Sequence, residues 1–239
     1  GINKVLNKES AEEIYAEANE KLKTLSVQKL LKLFHVQFVA TTNDPTEDLK
    51  DHGKVNETDV TPTFRPDKLY SFDSKYIEEL GKVVGYSLND LDSFQKVLGE
   101  RLDFFKSKGC RITDHGFRSF PKSYATYEEA KTLYLKRDSL SASEKDSLFG
   151  YLLVFLMKEY KKRDLLMQIH FSVVRNINTP MFHKVGVDAG FDVIAEGVNV
   201  GDLIRFLDQL SDEERPTIIL YSLNPEMLQI GRASCRERV

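Results

Sequence analysis

Hydrophobic and polar positions along this chain switch repeatedly between helical and strand spacing. Ile14, Ala18 and Leu22 share one face behind Ser10, and Glu13 follows that serine by three residues. This is the pattern of a capping box, in which hydroxyl and carboxylate satisfy each other's backbone amides. It predicts a helix ending near Lys23, with a second short helix over 27–34. Residues 35–40 read as a strand that stops at Thr41-Thr42-Asn43-Asp44-Pro45. Residues 59–64 read as a weaker strand, because Pro62 removes one ladder donor. Leu91, Phe94, Leu98, Leu102 and Phe105 form one stripe and predict a long helix over 88–106, closed by Gly109. A short strand at 110–113 ends at Asp114-His115-Gly116. Helices are predicted over 126–136 and 142–162, the second opened by a capping box from Ser141 to Glu144. A strand at 165–169 ends at His170, a helix covers 200–210, and a last strand at 217–221 ends at Ser222.

Strands that end in polar clusters and lead into helices define an α/β fold. A (β/α) barrel builds its mouth from such strand ends. An open doubly wound sheet also binds ligands there, but usually with a glycine-rich phosphate turn, and no Gly-x-Gly-x-x-Gly occurs here. The expected fold is a partial (β/α)8 barrel with helical insertions, holding about five strands, too few to close such a barrel alone. The expected domain covers 1–229. The basic, aperiodic stretch at 230–239 reads as a non-native tail, and with Gly1 in place of an initiator Met the chain reads as an internal fragment.

Charge narrows the partners. The 239 residues carry 34 Lys+Arg against 37 Asp+Glu, a net charge of −3, which argues against a dedicated nucleic-acid binder. The longest apolar stretch, 148–157, falls well short of the ~20 residues a membrane span needs. Cys110 and Cys235 are too few for a disulfide framework, so the expected location is the reducing cytoplasm.

The polar clusters also occur in a specific order. Thr41-Thr42-Asn43-Asp44-Pro45 is followed by Leu49 and His52, then by Phe64-Arg65-Pro66-Asp67-Lys68 and Gly109-Cys110-Arg111-Ile112-Thr113-Asp114-His115. Gln168-Ile169-His170, Arg175-Asn176-Ile177-Asn178, Asp188-Ala189-Gly190-Phe191-Asp192 and the run from Ile219 to Pro225 complete the series. This order resembles the uronate isomerases, the glucuronate/galacturonate isomerase family of the amidohydrolase superfamily. Three departures stand out: Asn43 replaces an acid, Ile177 interrupts an asparagine run, and the likeness stops after about Gln229. The resemblance implies interconversion of D-glucuronate and D-fructuronate, and of D-galacturonate and D-tagaturonate, by proton transfer between C1 and C2. The implied partner is a small-molecule hexuronate, with no nucleic acid or membrane partner; a homo-oligomer stays open. A divalent metal, zinc by the resemblance, is implied as cofactor. Its main ligands fall outside this chain, because no His-x-His pair occurs among His35, His52, His115, His170 and His183. The chain alone is therefore expected to be inactive. A metal hydrolase of the same superfamily and a non-catalytic gene remnant are the alternatives.

Under that resemblance, Arg65 is the candidate carboxylate anchor, since a guanidinium binds a carboxylate through two parallel hydrogen bonds. The alternative is a structural pairing with Asp67. Arg175 is a second anion-binding candidate, and His52, expected on a helix, a third substrate contact. Asp114, His115 and His170 are the catalytic candidates. Either Asp114 or His115 could move the proton, but both reach the mouth only if the strand ends there, as the following Gly116 suggests. His170 shares its side with Gln168 and Leu166, and its imidazole could bind substrate or the metal. Thr42, Asp44 and Asn224 are expected to shape turns, and His35 and His183 to be structural.

Overall fold

The computed structural model describes residues 2–227; the stretch expected to be a non-native tail lies outside them. The chain divides into two compact units. The first, up to Thr41 with Lys50–Thr61, holds α1 (Ala11–Leu22), α2 (Val27–Leu33), most of β1 (Phe38–Asn43), β2 (Gly53–Val55) and the start of β3 (Thr58–Phe64). Antiparallel β2 pairs with β3, Lys54 opposite Asp59. The capping box expected on α1 does not form. The Ser10 hydroxyl donates instead to the Val5 carbonyl at 2.7 Å, and Glu13 pairs with Lys4. His35 belongs to a helix end rather than a strand. With φ of 52° it closes α2, while the amides of His35 and Val36 reach back to Lys32 and Leu31. That turn delays β1 to Phe38.

The second unit, Thr42–Leu49 with Pro62 onward, carries the rest. Here follow α3 (Ser74–Val84), α4 (Leu91–Ser107), β4 (Ile112–Gly116), α5 (Tyr127–Leu135), α6 (Ala142–Lys162), β5 (Leu166–Phe171), β6 (Val173–Val174), α7 (Thr179–Val185), β7 (Val193–Ile194), α8 (Val200–Leu207) and β8 (Ile218–Ser222). The strand order is β1-β3-β4-β5-β8, and from β3 onward every neighbouring pair is parallel. This is the α/β, partial-barrel arrangement expected from the sequence. The short antiparallel pair β6–β7 stands apart from that sheet.

Two of the expected helix signals appear as read. Gly109, at φ 87°, terminates α4 with the amides of Gly109 and Cys110 bonded to Lys106 and Phe105. Ser141 and Glu144 cap α6 reciprocally. α3 was not expected. It buries Tyr76, Ile77 and Leu80, and its Gly81 is needed because a Cβ there would lie 2.8 Å from the Tyr86 carbonyl. Among the described residues no helix is long and apolar enough to cross a membrane.

Strand parity sorts the sheet into two faces. Phe64, Thr113, Met167 and Ile169 are fully buried in one apolar core with Leu98, Leu102, Phe105, Met157 and Tyr160 of α4 and α6. Phe64 meets Phe105 edge to face, ring centres 5.0 Å apart. The other face presents Asp114 and Gly116 beside Gln168 and His170, paired residue for residue. The polar side chains therefore project from the face that the α4–α6 core leaves open.

Candidate active site

The carboxyl ends of β3, β4 and β5 converge because their register is parallel, with Phe64 level with Thr113 and Gly116 level with His170. One residue beyond Phe64, Arg65 turns to the open face. Its Nε donates to Asp67 Oδ2 at 2.8 Å, its Nη1 lies 3.5 Å from Asp114 Oδ2, and its Nη2 is 3.3 Å from His170 Nε2. His170 Nδ1 lies 3.1 Å from Asp114 Oδ1. A guanidinium can only donate, so His170 Nε2 carries the lone pair and Nδ1–H donates to Asp114. Gly116 makes this packing feasible, because a Cβ there would press on His170 Nε2 and sit 3.0 Å from Arg65 Nη2. Its amide donates to Asp67 Oδ1 at 3.0 Å, which fixes Asp67 behind Arg65.

Charge is balanced locally. Burial raises the Asp67 carboxyl above its ordinary pKa, against the opposing pull of the Gly116 amide and Arg65. Burial acts the same way on Asp114, but the His170 hydrogen bond and the Arg65 charge outweigh it and hold Asp114 below the usual range. For Arg65 burial works against the charged form, and Asp67 and Asp114 reverse that.

These residues open into a cavity of about 590 Å³. Arg65, Asp67, Gly116 and His170 line it with Phe117, Arg118, Val173, Val174, Arg175, Asn176, Val187 and Asp188. Arg175 reaches it from the end of β6, paired with Asp192 at 2.7 Å and with Asp188 at 3.7 Å.

Of the expected site residues, Arg65, Asp114, His170 and Arg175 thus gather in one region, Asp114 through its bonds to Arg65 and His170. His115 does not. β4 runs regularly through Gly116, so the strand does not end at Asp114-His115 as expected, and the two side chains point to opposite faces. His115 is wholly buried, with Nδ1 bonded to the Tyr70 hydroxyl and Nε2 3.1 Å from Thr113 Oγ1. Burial pushes its pKa down to about 3. His52 lies in the first unit just ahead of β2, not on a helix, and its Nε2 is 2.7 Å from Thr41 Oγ1. Asp44 accepts from the Thr46 amide and hydroxyl, and Asn224 accepts from the Glu226 amide; both shape turns. Arg118 was missed. It lies two residues past Gly116 in the bend that follows β4, where strand alternation no longer applies, so the sequence carries no local signal for it.

Among the described residues, no three His, Cys, Asp or Glu side chains converge to hold a metal ion. The adjacent donors, Asp114 and His170, are engaged with each other and with Arg65. The residues present do not by themselves fit a metal centre.

Arginine, carboxylate and imidazole gathered at the carboxyl ends of parallel strands lie where a (β/α) barrel builds its active site. The chain belongs to the glucuronate isomerase family, whose sequence model matches residues 1–235. It is 34% identical over 241 residues to the uronate isomerase of Brachyspira hyodysenteriae, covering 93% of this chain and 51% of that protein. To the uronate isomerase of Caldicellulosiruptor saccharolyticus it is 35% identical, covering 95% and 52%. The crystal structure of the Thermotoga maritima uronate isomerase superposes with a TM-score of 0.90 at 28% identity, covering 99% of this chain and 55% of that one. The glucuronate isomerase of Caulobacter crescentus shares the fold, with a TM-score of 0.86 at 23% identity, over 95% and 50%. The chain spans about half the length of the curated relatives it matches.

Proposed function

We propose that this chain supplies one wall of the active site of an aldose–ketose isomerase that interconverts D-glucuronate with D-fructuronate and D-galacturonate with D-tagaturonate. The Arg65–Asp114–His170 cluster carries the reading. His170 Nε2, once released by Arg65, takes the proton from C2 of the open-chain sugar acid and returns it at C1, while the hydroxyl proton passes from O2 to O1 of the enediolate. Asp114, held ionised, accepts Nδ1–H and stabilises the imidazolium formed in between. Such positioned proton transfer contributes roughly 10²–10⁴-fold in rate. Arg65 donates to the oxygen on which enediolate charge develops, replacing its contact with His170 Nε2.

Titration of the 239-residue chain with D-glucuronate, followed through the His170 ring protons by NMR, tests this reading. The resonances should shift on binding and stop responding in Arg65→Gln. A ring indifferent to every hexuronate would refute it. The chain alone is expected to show no measurable isomerisation, and robust turnover would remove the need for any wall beyond this one.

A further inference from the structure

His115 turns away from the cavity, yet the residue bonded to it leads back to the site. After β3 ends at Phe64, the chain makes one short 3-10 helix, Asp67–Ser71. With three residues per turn, side chains three apart project on the same side, which places Asp67 and Tyr70 together. They take hold of consecutive residues of β4. Asp67 Oδ1 accepts the Gly116 amide at 3.0 Å, on the side where β3 has already ended. The Tyr70 hydroxyl bonds to His115 Nδ1.

Donor accounting fixes the direction of that second bond. His115 Nε2 is 3.1 Å from Thr113 Oγ1, while the Thr113 hydroxyl donates to the Leu166 carbonyl at 3.3 Å. A hydroxyl has one proton, so Thr113 accepts from Nε2–H, and the neutral ring offers its Nδ1 lone pair to Tyr70. The reverse tautomer would leave the Tyr70 proton without an acceptor among the described residues. The Tyr70 ring is seated too, 4.8 Å from the Phe149 ring and stacked on His115. His115 is wholly buried, so this end of the turn is tied to the core. At the other end, Asp67 Oδ2 holds Arg65 Nε at 2.8 Å. One contact alone would let the turn pivot about Gly116; the second, three residues on, stops it.

We propose that Tyr70 is a positioning residue: its bond to His115 fixes the turn that carries Asp67, and so sets Arg65 against His170. The consequence for substrate rests on the isomerase reading above, whereas the geometry is a property of the chain by itself.

Nitrogen NMR of the histidine rings in the ligand-free 239-residue chain tests it. The unaltered chain should carry its His115 proton on Nε2 and its His170 proton on Nδ1. His170 Nε2 should show the signature of an accepted hydrogen bond. Tyr70→Phe should move that resonance downfield, toward its position in Arg65→Gln, where the donor is gone. His115→Gln can still accept from Tyr70 and should keep the unaltered His170 signal; His115→Leu cannot and should lose it. A tyrosine that only stabilises the core would lower the urea midpoint of Tyr70→Phe and leave His170 unmoved, which overturns the inference. His115 protonated at Nδ1 in the unaltered chain overturns it as well, whether or not any variant folds. Affinity for D-glucuronate should fall in Tyr70→Phe by part of the loss seen in Arg65→Gln. An unaltered chain that binds no hexuronate counts against the isomerase reading and leaves this inference to be decided by the ring nitrogens.

Discussion

Replacing His115 by Gln should flatten the acid sensitivity of the fold. In the folded chain this imidazole is wholly buried and its pKa is pushed down to about 3, while in the unfolded chain it titrates near its ordinary value of 6.5. Between those values the unfolded state binds one proton more than the folded state, so stability falls as pH falls. At ~1.4 kcal/mol per pKa unit, moving from about pH 7 to about pH 5 removes on the order of 2 kcal/mol through this group alone. Glutamine can donate to one of His115's neighbours, Tyr70 and Thr113, and accept from the other, but it cannot ionise. Urea unfolding followed by circular dichroism at a series of pH values gives the two stability profiles. His115→Gln will start lower at pH 7 if glutamine packs less well, but its slope toward acid should be shallower by about that amount. Two parallel profiles would refute the assignment of His115 as a neutral buried group.

Three further outcomes are expected. Gly116→Ala should abolish D-glucuronate binding in a calorimetric titration while leaving the circular dichroism spectrum intact, because the new methyl displaces His170 and Arg65 rather than core residues. Ser141→Ala should lower unfolding stability by about 1 kcal/mol, the usual worth of an N-cap, read from the urea midpoint. Phe105→Ala should cost about 3–5 kcal/mol by the same measurement, since it empties a fully buried site against Phe64.

How much of this was legible in the sequence depended on whether the signal was local. The caps of α6 and the glycine stop of α4 are local chemistry, and they appear in the structure as read. Ser10 and Glu13 carry the same letters, yet each found another partner, Val5 and Lys4, in a segment where no helical side chain is buried. α3 escaped notice because Gly81 and the β-branched Val83 and Val84 weaken its helical signal; its place is set by burial of Tyr76, Ile77 and Leu80. At the site, Arg65, Asp114, His170 and Arg175 were readable as residues. That Asp114 and His115 diverge depended on how far β4 continues, which is decided by pairing with β5 across fifty residues of chain. The intimate contact of Gly116 with His170 likewise has no local trace.

β4 works as a vernier between two chemistries: one residue faces the open polar side of the sheet and the next faces the hydrocarbon interior. Deleting or inserting a single codon upstream of Asp114 within the strand would swap these tenants, burying a carboxylate under α6 and thrusting an imidazole outward. Substitutions here would be graded in their effects, but indels would be all or nothing, so length variation in this family should accumulate in the stretches between strands and avoid this one.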